Sequence, residues 1–112
     1  MAFERICILD DVPEGEMASF VTNDGTAVLP TILGSGDVKA YQAYCPHQQI
    51  QLAAGRLEGG VLTCMGHMWQ FDVATGAGID PTNWRLAEYP VRVDGDAVLV
   101  DVVGVEPFQA GI

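Results

Sequence analysis

The sequence predicts an all-β protein, an antiparallel sandwich or small barrel, and three observations support this. Short apolar or alternating runs are separated by turn-forming residues along the 112-residue chain. Thirteen glycines and six prolines suit many tight connections between strands. No stretch has the apolar spacing of an amphipathic helix of three turns, and Asp10, Asp11 and Pro13 could start at most one helical turn.

The first half of the chain contains one predicted hairpin and one further strand. The runs "ASFVT" and "TAVLPTI" flank "NDG", whose residues tolerate the positive φ that a tight hairpin turn requires. The run "VKAYQAY", residues 38–44, follows the turn sequence "GSGD" and is predicted as one strand. This strand leads directly into a segment that is rich in cysteine and histidine.

A second hairpin is predicted near the C-terminus, where "YPVRV" and "AVLVDVV" flank "DGD". Alternation in the first of these runs places Tyr89, Val91 and Val93 on one face of a strand, with Arg92 on the other face. The final residues, "EPFQAGI", show no such pattern and are predicted to run irregularly along the surface.

Segment 45–67 lies between the hairpins and holds both histidines and two of the three cysteines. "CPH" ends the preceding strand, and Pro46 fixes φ within a tight turn. "GGVLTC" supplies a short strand that leads Cys64 into the turn "MGH", and "MWQFDV" leads away as a further strand. Two loops at the same end of a β-scaffold would bring one Cys and one His from each loop together.

The composition indicates a single globular domain with an acidic surface. The chain is 49% hydrophobic, and five basic against fifteen acidic residues give a formal charge of −10. This balance argues against nucleic acid as a partner. It suits a partner with a basic docking face, although acidity also simply keeps a protein dispersed. We expect a cytoplasmic protein without membrane association, because the N-terminal residues lack a signal-peptide pattern and no apolar run approaches about 18 residues.

The four candidate ligands follow the pattern Cys45-x-His47, then sixteen residues, then Cys64-x-x-His67. Two thiolates and two imidazoles suit either zinc or an iron–sulfur centre. Structural zinc sites usually pair Cys with Cys and His with His, whereas each pair here is mixed. One Cys and one His per loop favour a centre of two unlike irons, to which each loop gives one ligand per iron. A zinc protein and a structural domain with a degenerate site remain alternatives.

The third cysteine, Cys7, lies in the apolar run "RICIL". It is predicted to be a small buried side chain rather than a ligand. An odd number of cysteines without a secretory context does not suggest a disulfide framework.

The pattern "CPH…CMGH" resembles the Rieske motif, C-x-H-x(15–17)-C-x2-H. The similarity to Rieske-type ferredoxins extends from "LAAGRLEGG" to "DGDAVLV", and the opening "MAFERICILDDVPEGEM" resembles the ferredoxin component of toluene- and alkene-type diiron monooxygenases. This resemblance implies one Rieske ferredoxin domain over residues 1–112. Its cluster-binding part would span about residues 44–82 and comprise two ligand loops and a third, covering loop around Pro81.

The resemblance also implies one Rieske-type [2Fe–2S] cluster. By position, Cys45 and Cys64 would bind the iron that stays ferric, and His47 and His67 would bind the other iron through Nδ1. Rieske potentials span about −150 to +300 mV, against about −400 mV for all-cysteine plant-type clusters.

The expected reduction potential lies in the lower part of that range. High-potential relatives have hydroxyl side chains bonded to sulfur, at positions that match Trp69 and Phe71 in this sequence. Neither of these two residues carries such a hydroxyl.

The implied function is one-electron transfer rather than catalysis. The carrier, expected to be a monomer, would take electrons from a flavin-containing NADH reductase. It would pass them to the hydroxylase, a diiron enzyme, of a multicomponent aromatic or alkene monooxygenase. The edge of the cluster at His47 and His67 would face the partner, because an exposed imidazole shortens the electron path. The ferredoxin of a ring-hydroxylating dioxygenase, which has the same motif, is the alternative.

Overall fold

The computed structural model describes residues 3–12, 17–34, 36–46, 50–65, 68–79 and 84–108. Across these ranges the chain forms eleven strands in three antiparallel sheets, and its helical structure there consists of two short 3-10 turns, Leu9–Asp11 and Leu52–Ala54. The predicted all-β class is confirmed. Within the same ranges, no helix is long and apolar enough to cross a lipid bilayer.

The strands, in chain order, are β1 (Glu4–Ile8), β2 (Phe20–Val21), β3 (Ala27–Ile32), β4 (Val38–Gln42), β5 (Arg56–Glu58), β6 (Val61–Thr63), β7 (Gln70–Asp72), β8 (Gly78–Ile79), β9 (Glu88–Tyr89), β10 (Val91–Asp94) and β11 (Ala97–Val100). One sheet has the order β1-β11-β10, a second the order β2-β3-β4-β9, and a third the order β5-β6-β7-β8. The first strand, β1, was not predicted, because the run "RICIL" is too short and mixed to show a clear period.

Both predicted hairpins are confirmed. The β2–β3 connection closes with a hydrogen bond from the Thr22 N–H to the Thr26 carbonyl (2.9 Å). In the second hairpin, β10 pairs with β11 from Val91 opposite Val100 to Asp94 opposite Ala97. The short polar turns therefore place the strands as the sequence indicates.

Two details of the predicted strands are wrong. The strand predicted over 38–44 ends at Gln42, because the following backbone pairs with a different segment: the Leu52 N–H donates to the Ala43 carbonyl (2.9 Å). Tyr89 and Val91 contact the same core cluster, as expected, but Val93 does not and is exposed. Pro90 lacks an N–H and separates β9 from β10, so that Tyr89 is fully buried in one sheet while Val93 is exposed in another.

The largest core cluster joins the second sheet to the third. It contains Leu29 and Tyr41 from the second sheet, and Leu62 and Phe71 from the third, all fully buried. Because these apolar side chains pack between the sheets, their burial fixes the position of β6 and β7 relative to β4.

Candidate metal centre

The two cysteines of the motif lie in the same buried cluster. Cys45 follows β4 and Cys64 follows β6, and both have no exposed surface. Leu52 and Leu86 belong to the same cluster and are also fully buried. The fold thus brings two thiol groups that are 19 residues apart in sequence (64 − 45) into one apolar environment.

Both loops are closed by equivalent backbone hydrogen bonds. The Cys45 N–H donates to the Ile50 carbonyl (2.8 Å), and the Cys64 N–H donates to the Trp69 carbonyl (2.7 Å). In each case the acceptor lies five residues after the cysteine. The predicted pair of similar loops, each beginning at a cysteine, is therefore present in the backbone.

Three predicted site positions lie outside the described residues: His47, His67 and Pro81. Their expected roles stay predictions. In sequence, His47 falls between Cys45 and Ile50, and His67 falls between Cys64 and Trp69. Each histidine therefore belongs to a loop whose two ends are held together.

The two buried cysteines fit the role of thiolate ligands to the iron of an iron–sulfur cluster. A buried thiolate is costly unless a cation compensates its charge, and soft thiolates are the usual ligands of iron in such clusters. Two thiols in one apolar cluster, at the starts of two matched loops, provide such donors. By contrast, Cys7 lies in a separate cluster with Val12 and Val98, as predicted for a buried structural side chain.

The second loop presents methionines on both sides of its histidine. The exposed fractions are 62% for Met65 and 51% for Met68. Met68 has φ of 58°, in the left-handed region that a non-glycine residue rarely adopts. Such backbone strain, of about 1–3 kcal/mol, persists where the surrounding structure requires it. Here Met68 directly precedes Trp69, whose carbonyl accepts the hydrogen bond from the Cys64 N–H that closes the second loop.

Three residues that support the loops were not recognised in the sequence: Tyr41, Gln42 and Gly55. The Tyr41 hydroxyl donates to the Val73 carbonyl (2.7 Å) and joins β4 to the segment after β7. A Cβ on Gly55 would lie 2.0 Å from the Thr63 carbonyl oxygen. One sign of these supports was visible in the sequence: Gln42 is a polar residue among apolar ones at the end of a strand. A glutamine buried there needs several hydrogen-bond partners, which indicates a structural role.

The protein-family model described as the Rieske [2Fe-2S] domain matches residues 3–90 of this chain. The chain belongs to the Rieske family. It is 41% identical to the ferredoxin component of the alkene monooxygenase system of Xanthobacter autotrophicus, over 92% of this chain and 81% of that protein. It is 38% identical to the biphenyl dioxygenase ferredoxin subunit of Pseudomonas sp. (strain KKS102), over 90% of this chain and 93% of that one.

The fold of this Rieske protein also matches a solved ferredoxin. The Sphingomonas yanoikuyae B1 ferredoxin has a TM-score of 0.80 and 27% identity, with 89% of this chain and 98% of that chain covered. The predicted family, fold and cofactor class are confirmed: the chain is a Rieske-type ferredoxin, its cofactor is a Rieske-type [2Fe–2S] cluster, and it transfers electrons rather than catalysing a reaction.

Proposed function

We propose that one Cys and one His from each loop hold the Rieske [2Fe–2S] cluster. The ligands are Cys45, His47, Cys64 and His67, with both cysteines on one iron and both histidines on the other. The equivalent closures of the two loops and the full burial of both cysteines support this set. When bound, such a cluster takes up and releases one electron.

The domain limits belong to the same proposal. Residues 1–112 form a single Rieske ferredoxin domain, and about residues 44–82 form its cluster-binding part. A loop around Pro81 covers the cluster. The core cluster that joins the second and third sheets supports this view, because its buried residues come from both parts of the chain.

The protein is the electron carrier of an oxygenase system. We assign the system to the alkene or aromatic monooxygenases, with a diiron hydroxylase as acceptor and a flavin-containing NADH reductase as donor. The 41% identity to an alkene monooxygenase ferredoxin supports this assignment. A ring-hydroxylating dioxygenase is the second candidate, supported by the 38% identity to a biphenyl dioxygenase ferredoxin. The carrier acts as a soluble monomer in the cytoplasm.

The surface charge suits a partner with a basic docking face. Four of the five basic side chains make contacts within the protein: Lys39 is 3.2 Å from the Glu88 carboxylate, Arg56 is 4.0 Å from the Glu58 carboxylate, Arg85 donates to the Thr75 carbonyl (2.9 Å), and Arg92 lies over the Phe3 ring at 4.6 Å. A net charge of −10 then attracts basic surfaces and raises the rate of encounter.

The docking face proposed here is the loop end that carries His47 and His67. Met65 and Met68 are mostly exposed on the second loop, and flexible apolar side chains of this kind suit an adaptable contact surface. Docking there places the partner next to the imidazoles. The same face serves the donor and the acceptor in turn.

The apolar surroundings of the cysteines favour a potential in the lower part of the range of about −150 to +300 mV. Phe71, at a position that would carry a hydroxyl in high-potential relatives, is fully buried in the cluster that contains Cys45 and Cys64. It offers no O–H to a sulfur atom, so no hydrogen bond from this position stabilises the reduced cluster and raises the reduction potential. A redox titration that gives a value near the upper end would contradict this proposal.

The ligand set is tested by metal analysis of anaerobically purified protein. The wild-type chain should contain two irons and two acid-labile sulfides. Cys45→Ser, Cys64→Ser, His47→Ala and His67→Ala should each lose most of both, since each removes a ligand. Cys7→Ser is the matched control and should retain them. Stoichiometric zinc without sulfide in the wild-type protein would support the zinc alternative and exclude this proposal.

The choice of oxygenase system is tested by reconstitution. The reduced protein is mixed with either a diiron monooxygenase hydroxylase or a ring-hydroxylating dioxygenase, and the rate of its reoxidation is measured with substrate and oxygen present. Faster reoxidation by the diiron hydroxylase, with a rate that falls as salt is raised, is expected. Faster reoxidation by the dioxygenase would favour the second candidate.

A further inference from the structure

Gln42 is a buried amide at the end of β4, three residues before Cys45. Only 2% of its surface is exposed. Its side chain makes four hydrogen bonds: Nε2 donates to the carbonyls of Tyr44 (2.8 Å) and Phe108 (2.9 Å), and Oε1 accepts from the N–H groups of Ala87 (2.8 Å) and Phe108 (2.9 Å). These bonds use the full capacity of a glutamine amide for two donations and two acceptances.

The partners permit only one orientation of this amide. Two are carbonyls and two are N–H groups, so exchanging Nε2 and Oε1 would bring like groups together at all four contacts. Phe108 supplies one group of each kind: its carbonyl accepts from Nε2 and its N–H donates to Oε1, so two hydrogen bonds join the C-terminal segment to the amide. The side chain of Gln42 therefore has a fixed position, and the C-terminal segment helps to fix it.

The position of Gln42 determines the peptide unit that precedes Cys45. The carbonyl of this unit belongs to Tyr44 and accepts from Gln42 Nε2, while its N–H belongs to Cys45 and donates to the Ile50 carbonyl (2.8 Å). A peptide unit that is bonded at both its polar groups cannot rotate about its flanking bonds without breaking one of them. The orientation of this plane sets the direction in which the Cys45 Cα–Cβ bond leaves the backbone.

The second loop has no need of such a side chain. Cys64 follows Thr63, the last residue of β6, and β6 is paired with β5 on one side and with β7 on the other. Regular sheet pairing reaches the residue before Cys64, whereas β4 ends two residues before Tyr44 and leaves it with an isolated bridge to Gln51. Gln42 fills this gap in the sheet pairing.

We propose that Gln42 is a positioning residue for the ligand Cys45, and that the backbone of Phe108 holds Gln42 in place. The C-terminal segment thereby contributes to the geometry of the metal centre, although it lies more than 60 residues away in sequence (108 − 45 = 63). This inference rests on the proposed role of Cys45 as a ligand. It adds a residue outside the four ligands and outside their loops.

The first test compares Gln42→Glu with the wild-type holoprotein. The carboxylate keeps the size of the side chain but replaces the Nε2 donor with an acceptor that faces the carbonyls of Tyr44 and Phe108. Loss of the visible absorbance in excess chelator should become about tenfold faster, a change typical of lost outer-sphere support. The g values of the reduced protein should also shift, because the Cys45 sulfur is reoriented.

The second test uses a matched pair at Phe108. Phe108→Pro removes the N–H that donates to Gln42 Oε1 and keeps the carbonyl, and the preceding residue, Pro107, already has a restricted backbone. Phe108→Ala keeps both backbone groups and loses only the side chain. The Pro variant should show faster cluster loss and shifted g values, whereas the Ala variant should match the wild-type protein in both. This pair decides the matter if Gln42→Glu does not fold.

The outcomes separate this inference from the proposed function. Variants with a lower melting temperature but wild-type g values and wild-type rates of cluster loss would overturn the positioning role, while the ligand set would stand. An equal effect of Phe108→Pro and Phe108→Ala would overturn it as well. A wild-type protein without iron and sulfide would overturn both proposals.

Discussion

The loop that begins at Cys45 and the loop that begins at Cys64 return to their first residue through the same type of hydrogen bond, yet they are anchored differently. The second loop connects β6 and β7, two paired strands of one sheet. The first loop leaves the end of β4 and continues into a 3-10 turn, Leu52–Ala54, before β5. Local sheet pairing supports the second loop, whereas the first is supported by the Gln42 side chain, which the distant backbone of Ala87 and Phe108 holds in place.

The difference shows how one centre can be built from two unequal supports. A hairpin fixes its own loop, because both arms are hydrogen-bonded to each other. A loop that joins two different sheets needs further contacts, here from the Gln42 amide to the Tyr44 carbonyl, while the Tyr41 hydroxyl joins β4 to the segment after β7. We therefore expect the largest effects from substitutions that push the chain after the first loop away from β6, the strand that leads into the second loop.

The largest effect is expected at Gly55, which directly precedes β5 and lies against Thr63, the last residue of β6. A Cβ there would lie 2.0 Å from the Thr63 oxygen and 3.2 Å from the Leu52 oxygen, both of which are backbone atoms that cannot turn away. Gly55→Ala should lower the free energy of unfolding by about 3 kcal/mol or more, because β5 and β6 must separate. Urea denaturation measures this.

Gly34→Ala is the matched control for Gly55→Ala. A Cβ at Gly34 would meet no atom within 4 Å. This variant should stay within about 0.5 kcal/mol of the wild-type protein. Similar losses in the two variants would show that the close approach of β5 to β6 is not what holds the loops together.

A smaller effect is expected from Tyr41→Phe. This change leaves the buried Val73 carbonyl without its donor and removes a bond between β4 and the hairpin that carries the second loop. The free energy of unfolding should fall by about 1–2 kcal/mol. Tyr89→Phe provides the comparison, because the Tyr89 hydroxyl is buried without a hydrogen-bond partner among the described residues. The Tyr89→Phe variant should be as stable as the wild-type protein or slightly more stable. A fall in the free energy of unfolding equal to that of Tyr41→Phe would contradict the stabilising role of the Tyr41–Val73 hydrogen bond.

The smallest effect concerns the cysteine outside the loops and depends on pH. Burial, and to a lesser extent the charge of Asp11, raises the pKa of the Cys7 thiol from 9.0 to about 11. In the unfolded chain the thiol ionises first, so its contribution to stability is complete below pH 9 and is lost as pH rises towards 11.

Thermal unfolding at pH 8 and pH 10.5 tests this contribution. The wild-type protein should lose more stability between the two values than Cys7→Ala, since the buried phenols Tyr41 and Tyr89, whose pKa values burial also raises, are present in both proteins. An identical loss in both would show that the Cys7 thiol does not titrate differently in the folded protein.

Local sequence patterns predicted most of the fold and the cysteine pair. Turn sequences such as "NDG" and "DGD" specify hairpins through residues that tolerate positive φ, and the short Cys-x-His and Cys-x-x-His patterns that begin at Cys45 and Cys64 indicate loops only a few residues long. The break at Pro90 was missed, since an alternating pattern does not reveal a change of sheet.

The support of the first loop could not be predicted for a different reason. Gln42 bonds to residues 45 and 66 positions away (87 − 42 and 108 − 42), and these partners come together only in the folded chain. Gly55 likewise gives no local sign that Thr63 lies against it. Contacts between distant segments follow from packing rather than from any periodicity of the sequence.

The most direct test of the account is pulsed EPR of the dithionite-reduced protein, grown with ¹⁵N-labelled histidine. The account predicts an average g well below that of an all-cysteine cluster, with couplings from two inequivalent histidine nitrogens that disappear in His47→Ala or His67→Ala. A spectrum typical of an all-cysteine cluster, or one without any histidine coupling, would contradict it.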